Sequence, residues 1–360
     1  MSELIKISDR PVVFPRSIAS PKFGAKRVIS SSPWEYVDLW LRKNSNSEAQ
    51  IFWEQARQFY SSAMQLPVQS APLPLYYSFL NAVKALLTAN SIPHMAYHGV
   101  TGFDARTSAK AHISLESEGI KLKNGGVLPG LISYLQETST NNIYSLEETL
   151  ANLAFVHRAY AMSYNCSEMF LSIIDPRYVK SGNNQARFEA TLPEEHTHGQ
   201  TIATIPNSFK IRNPTQEEQD RYGDQCKIIE SSGTFGWTGA RRPSGADLSN
   251  LAQFHRNLRV DLAYISGTRP YWYLKRNLQH SKLVRVDRNS LTLLVMAMHR
   301  MSEISRYKPV EMNKLFQGKR NWLLHEFIRS AATQFMDEIA SEITGNEISP
   351  AGVQRGVFLG

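Results

Sequence analysis

Arg320, Asn321 and His325 are the residues best suited to chemistry, and they lie together in the run RNWLLH near the C-terminal end. A histidine can carry a proton near neutral pH. An arginine can neutralise charge gathering on an oxygen anion. No metal is needed for such a pair to act. The apolar residues Leu324, Phe327, Ile328, Ala331, Phe335 and Ile339 follow at the spacing of a long helix. Five helical positions turn through about 500°, so Arg320 and His325 would point about 140° apart if both were helical. They converge only if Arg320 sits at or before the cap, or if a second copy supplies the partner. The competing reading is a plain surface arginine and histidine, because this spacing arises often by chance.

A second feature is charge placement. Between Arg241 and Arg288 stand ten basic residues, Arg241, Arg242, Arg256, Arg259, Arg269, Lys275, Arg276, Lys282, Arg285 and Arg288. Only Asp247, Asp261 and Asp287 oppose them, which leaves +7 of the chain's +8 in this segment. Tyr264, Tyr271, Trp272 and Tyr273 are interleaved. Cations that hold phosphates beside rings that stack on bases suit RNA or single-stranded DNA. The bland alternative is a solvated basic face with its aromatics in the core, and no RRM- or KH-like module is present to decide between them.

Weaker candidates are Glu195-His196-Thr197-His198 and His98-Gly99. The first could offer two metal ligands from a strand, but no third ligand is supplied and the surroundings read as a loop; no metal and no cofactor are expected. His98, ahead of a glycine, reads first as a buried, hydrogen-bonded histidine. Arg306 reads as an anchor for a helix C-terminus or a buried carboxylate, with Tyr307 beside it. The glycines at 233, 236 and 239 have the wrong spacing for a phosphate loop, and no G-x-S-x-G occurs.

The elements that must position these residues are mainly helices. Ser32-Pro33-Trp34-Glu35 reads as a helix start with proline at its first position. Ser47 with Gln50 opens a second helix, with Phe52, Ala56, Phe59 and Ala63 on one face. The stretch 73–89 is apolar nearly all round and so is expected to be buried. Ser145 with Glu148 caps a helix running to about Tyr164. Further helices are expected over 291–305 and 321–343. Short β-branched runs at 187–192, 201–205, 209–212 and 227–230 read as strands. The predicted class is α+β, predominantly α-helical, with a β-containing insert in the middle and C-terminal half. Its parts are a helical region 1–180, a basic insert 181–290 and a helical end 291–360, the outer two able to form one unit.

Composition sets the outer limits. The 360 residues are 42% hydrophobic and 20% charged, as in a globular chain with a real core. Cys166 and Cys226 lie far apart and imply neither a cysteine zinc site nor a disulfide framework, which suits a reducing cytoplasm. The N-terminal run MSELIKISDRPVVFPRS lacks an apolar signal core. The apolar stretch 291–298 is too short to span a bilayer, so no membrane association is expected.

The run PLPLYYSFLNAVKALL at 72–87, YHGV at 97–100, IKLKNGGVL at 120–128 and MSEISRY at 301–307 together resemble the YaaC-like family. They come in the family's order, and the resemblance covers roughly residues 34–345. It implies a bacterial cytoplasmic protein and brings no established chemistry with it. The R-N-x3-H spacing of Arg320, Asn321 and His325 separately resembles the signature of HEPN-type ribonucleases. That resemblance implies metal-independent cleavage in which an RNA 2′-OH attacks the adjacent phosphate. HEPN enzymes pair two motifs across a dimer, so a homo-oligomer is expected if the motif is catalytic. Two functions follow as expectations: a HEPN-like ribonuclease acting as a toxin or antiviral-defence effector, or a non-catalytic component that binds nucleic acid or a protein partner.

Overall fold

The computed structural model describes residues 2–108, 112–267, 271–278 and 283–350. The chain is an α+β protein, mainly helical, and it divides into two compact units, each built from two separated segments. One comprises Met1–Lys26 and Glu168–Arg285, the other Arg27–Ser167 and Val286–Gly360. Against the sequence reading, the sheet-bearing part starts before 181 and takes in the N-terminal segment.

The first unit is organised by a seven-stranded antiparallel sheet. Its order is Leu262–Ile265, Tyr271–Lys275, Phe170–Gly182, Gln185–Leu192, Lys227–Ser231 and Phe209–Arg212, with Phe235–Gly236 also on Gln185–Leu192. Strand alternation sends Phe188, Ala190 and Leu192 to one face and Arg187, Glu189 and Thr191 to the other. The apolar face packs on Leu251 and Leu258 of the helix Gly245–Leu258 and on Ile5, Val12, Phe14 and Phe23 of the N-terminal segment. His255 is wholly buried there, its ring between the Tyr178 hydroxyl (2.7 Å) and the Ser17 carbonyl (2.9 Å). Burial drives its pKa well down, so it is a neutral strut.

The other face of this sheet carries an ion network. Glu189, fully buried, is shared by Arg187 (3.1 Å), Arg177 (3.4 Å) and Arg212 (3.4 Å). Arg212 also holds Glu218 (2.7 Å) and Glu230 (2.6 Å). Glu218 belongs to the short helix Gln216–Tyr222, where it completes a capping box with Thr215. The Arg212 guanidinium holds the Glu218 carboxyl down at about 2.

In the second unit the helix Pro72–Ala89 is the centre. It packs on the helices Ser47–Ala63, Ser290–Tyr307 and Asn321–Thr344, and Phe79 stacks on Phe335 at 3.9 Å. Ser32 caps Pro33–Lys43 as its sequence predicts, accepting from Glu35 N. Ser145 and Glu148 form a reciprocal capping box, but the helix they start, Leu146–Ala151, ends early and a separate one spans His157–Tyr164. A three-stranded antiparallel sheet of Val100–Asp104, Glu118–Leu122 and Ile143–Ser145 lies in a region read as helical. The stretch 201–205, read as a strand, instead finishes the short helix Gly199–Ile202 and turns. Among the described residues no helix is long and apolar enough to cross a membrane.

Candidate functional site

The helix Asn321–Thr344 begins where its apolar stripe predicts, and Arg320 is its N-cap residue. The Arg320 guanidinium lies 4.6 Å over the Tyr164 ring and 3.6 Å from Glu116. His325 turns the other way and meets Phe316 edge to face at 4.9 Å. Among the described residues the two side chains share no partner. Asn321 is exposed and makes no side-chain cap. Arg320 therefore belongs to a cluster that sequence reasoning missed. In it the Tyr160 hydroxyl donates to Glu147 (2.8 Å), Tyr160 stacks on Tyr164 (4.5 Å), and burial raises the Glu147 carboxyl to about 7.

The basic segment is largely turned inward. Arg259 is buried and donates to the carbonyls of Arg16 and Leu262, with its cation over the rings of Trp272 and Tyr264. Trp272 and Lys275 are buried, and Arg288 pairs with buried Glu137 at 3.0 Å. Arg276 donates to Thr204 and to the Glu168 carbonyl, Arg285 pairs with Asp261, and Arg256 donates to the Ala19 carbonyl. Arg259, Lys275 and Trp272 are thus corrected from surface contacts to interior residues. Each buried or half-buried cation needs an acceptor, and several of these, the Arg16 and Ala19 carbonyls and the Glu137 carboxylate, come from positions far away in sequence that a local charge count cannot see. Arg241, Arg242 and Tyr271 are exposed, with Arg241 paired to Asp9 at 2.7 Å. Arg269 and Lys282 lie outside the described residues. In the Glu195–His198 stretch, His196 Nε2 meets the Ser172 hydroxyl (3.0 Å), and His198 is exposed. No group of three His, Cys, Asp or Glu is arranged to hold a metal among the described residues.

A different site emerges in the helical unit. Tyr76 and Tyr77 of Pro72–Ala89, His98 of the following loop, and His299, Glu303 and Arg306 of Ser290–Tyr307 line a cavity of about 240 Å³. The Tyr76 and His299 side chains are almost fully buried. Their rings meet at 4.9 Å, and His98 lies 5.3 Å from Tyr76 and 5.9 Å from His299. The Tyr76 hydroxyl and His299 Nδ1 are buried without a hydrogen-bond partner. Glu303 Oε2 stands 3.8 Å from His299 Nδ1, beyond hydrogen-bond reach. Burial lowers His299 to about 4 and raises Tyr76 above the ordinary tyrosine range, so both are neutral at pH 7.

Each wall has a local cause. Glu137 accepts from Asn289 N (3.0 Å) and from Thr292 Oγ1 (2.7 Å), which fixes the start of the helix carrying His299. Arg300, one residue on, reaches Glu118 of the small sheet and holds Glu303 Oε2 at 2.8 Å. The His98 loop is tied to the start of the helix Val127–Leu135, where Val127 N donates to Tyr97 O (2.9 Å) and Leu128 N to His98 O (3.1 Å). Gly126, with φ +116°, lets the two backbones meet there. Sequence reasoning singled out His98 and Arg306 in other roles and missed His299. A lone histidine in an all-round apolar helix reads as core.

The fold and this cavity define a two-unit α+β chain whose helical unit holds a small site lined by aromatic rings, two histidines, a carboxylate and a guanidinium, with no metal cluster among the described residues. The model of the YaaC-like protein family matches residues 19–343, and the chain belongs to that family. No curated protein and no solved structure matches it. Three of the stretches that carry the resemblance, at 72–87, 97–100 and 301–307, supply the cavity walls apart from His299, which lies just ahead of the third.

Proposed function

We propose that this protein is a non-catalytic binding component whose working site is the cavity lined by Tyr76, His98 and His299. One observation carries the reading: two polar atoms, the Tyr76 hydroxyl and His299 Nδ1, are buried at the cavity with nothing to bond. Each forfeits its hydration, and a ligand that enters the cavity is one thing that repays it. Tyr76→Phe tests this. Removing an unpaired buried hydroxyl without changing shape should leave the ligand-free protein as stable or stabilise it by about 1–3 kcal/mol in a denaturant titration. A loss of stability on that scale would mean that the hydroxyl has a structural partner, and the reading would fall.

A HEPN-like ribonuclease, in the role of toxin or defence effector, is the second reading. It rests on the R-N-x3-H spacing: Arg320 sits at the N-cap with its guanidinium on Tyr164 and near Glu116, so the histidine of a second copy would have to complete the pair. On this reading His325→Ala lowers RNA cleavage by about 10²- to 10⁴-fold, cleavage survives EDTA, and products end in a 2′,3′-cyclic phosphate. Intact RNA after incubation with the wild-type protein, at concentrations that allow pairing of copies, removes it.

A further inference from the structure

We infer that the Tyr76–His299 cavity takes a single nucleobase with its phosphate held at the mouth by Arg306, an assignment that rests on the cavity being a ligand site. The volume, about 240 Å³, falls below the ~300–1,000 Å³ typical of drug-sized ligands, so the occupant is one small ring system. Two walls are aromatic: the rings of Tyr77 and His98 stand 6.1 Å apart, nearly perpendicular, and offer faces and edges to a planar guest. The unpartnered polar atoms of Tyr76 and His299 have almost no accessible surface in the ligand-free protein, so the edge of a base meets them by a small shift of the two rings. The Tyr76 hydroxyl can donate or accept, and His299 Nδ1 does either according to tautomer. Glu303 Oε2 is engaged by Arg300, while its Oε1 accepts no hydrogen bond among the described residues. A carboxylate oxygen only accepts, so it calls for ring or exocyclic N–H groups on the guest.

At the mouth the guanidinium of Arg306 lies 4.9 Å over the Tyr307 ring and has no acidic partner among the described residues. Both residues are exposed. An unpaired guanidinium beside a ring is suited to a phosphate on the outer end of a base-bearing ligand. Other guests fit less well. An inorganic anion alone would face the Glu303 carboxylate. A purely apolar guest would leave the Tyr76 and His299 atoms unsatisfied.

Isothermal titration of the full chain with GMP, AMP, guanosine, inorganic phosphate and a 5′-phosphorylated RNA pentamer tests the assignment. A nucleoside monophosphate should bind, guanosine more weakly, and inorganic phosphate not measurably. Tyr76→Phe should cost the nucleotide about tenfold, the loss of one hydrogen bond. Arg306→Ala should reduce nucleotide affinity to that of the nucleoside and leave the nucleoside unchanged. Pentamer binding equal to the mononucleotide identifies a strand end as the source, and binding of the mononucleotide alone identifies a free nucleotide. Failure of every base-bearing probe, with Tyr76-dependent binding of imidazole-, amine- or carboxylate-bearing fragments, overturns the nucleobase and keeps the ligand site. If nothing binds and Tyr76→Phe destabilises the protein, the base and the site both fall. Nucleotide binding that is indifferent to Tyr76→Phe and Arg306→Ala also overturns the assignment.

Discussion

Glu189→Ala is expected to destabilise the sheet unit by about 3–5 kcal/mol, the range for breaking a buried ion pair from one side. Glu189 is fully buried and serves Arg177, Arg187 and Arg212 together, and Arg177 is itself buried. Truncation leaves that guanidinium with less compensating charge in a place where water cannot replace it. Equilibrium urea unfolding reads the effect directly. Acid should undo the same network. Glu218 titrates at about 2 in the fold against an ordinary 4.5, so its stabilisation is present above about pH 4.5 and is lost as pH falls through about 2. A Glu189→Ala protein that unfolds within about 1 kcal/mol of wild type would show that the network is replaceable in place, as some buried ion networks are when swapped whole for apolar groups.

Gly126→Ala is expected to cost a comparable amount in the helical unit, with ligand binding lost alongside stability. The residue has φ +116°, and a Cβ there would lie 2.6 Å from Gly99 Cα and N and 2.7 Å from Tyr97 O. These are backbone atoms, so no side chain can rotate away. Strain at such a φ costs about 1–3 kcal/mol, and overpacking adds about 1–3 kcal/mol. Any relief must move the 97–99 loop, which carries His98 out of the cavity wall. Gly245→Ala is the control: nothing lies near its Cβ, and the change should be neutral or slightly stabilising. Equal stability for the Gly126→Ala protein would mean that the loop has slack, and His98 could not then be a fixed wall.

What the sequence made legible was local. The caps at Ser32 and Ser145, the strands over 209–212 and 227–230, and the start of the last helix at Asn321 all follow from neighbouring residue types. Thr201 to Ile205 has strand-forming side chains, yet the chain turns there: β-propensity means fitting a pleated surface, and among the described residues no strand pairs with this run. The strands at 100–104, 118–122 and 143–145 were hidden by spacing, since nothing in a short isolated run identifies a partner twenty residues away. The site was harder still. Arg288 looks like surface charge until Glu137 is beside it, and His299 looks like core until Tyr76 and His98 arrive from other elements.

The N-terminal segment has a bearing on how the chain is made. Leu4 and Val13 bridge to Val179 and Arg177, and the Ser17 carbonyl meets the His255 ring. Ile5, Val12 and Phe14 therefore leave the ribosome well before the residues they pack on and find their apolar seats only after residue 178, on the order of ten seconds or more later at ~5–20 residues per second. Until then those side chains have no core to enter. The sheet unit must close over a long intervening loop, and its assembly is governed by a late, distant pairing rather than by the order of synthesis.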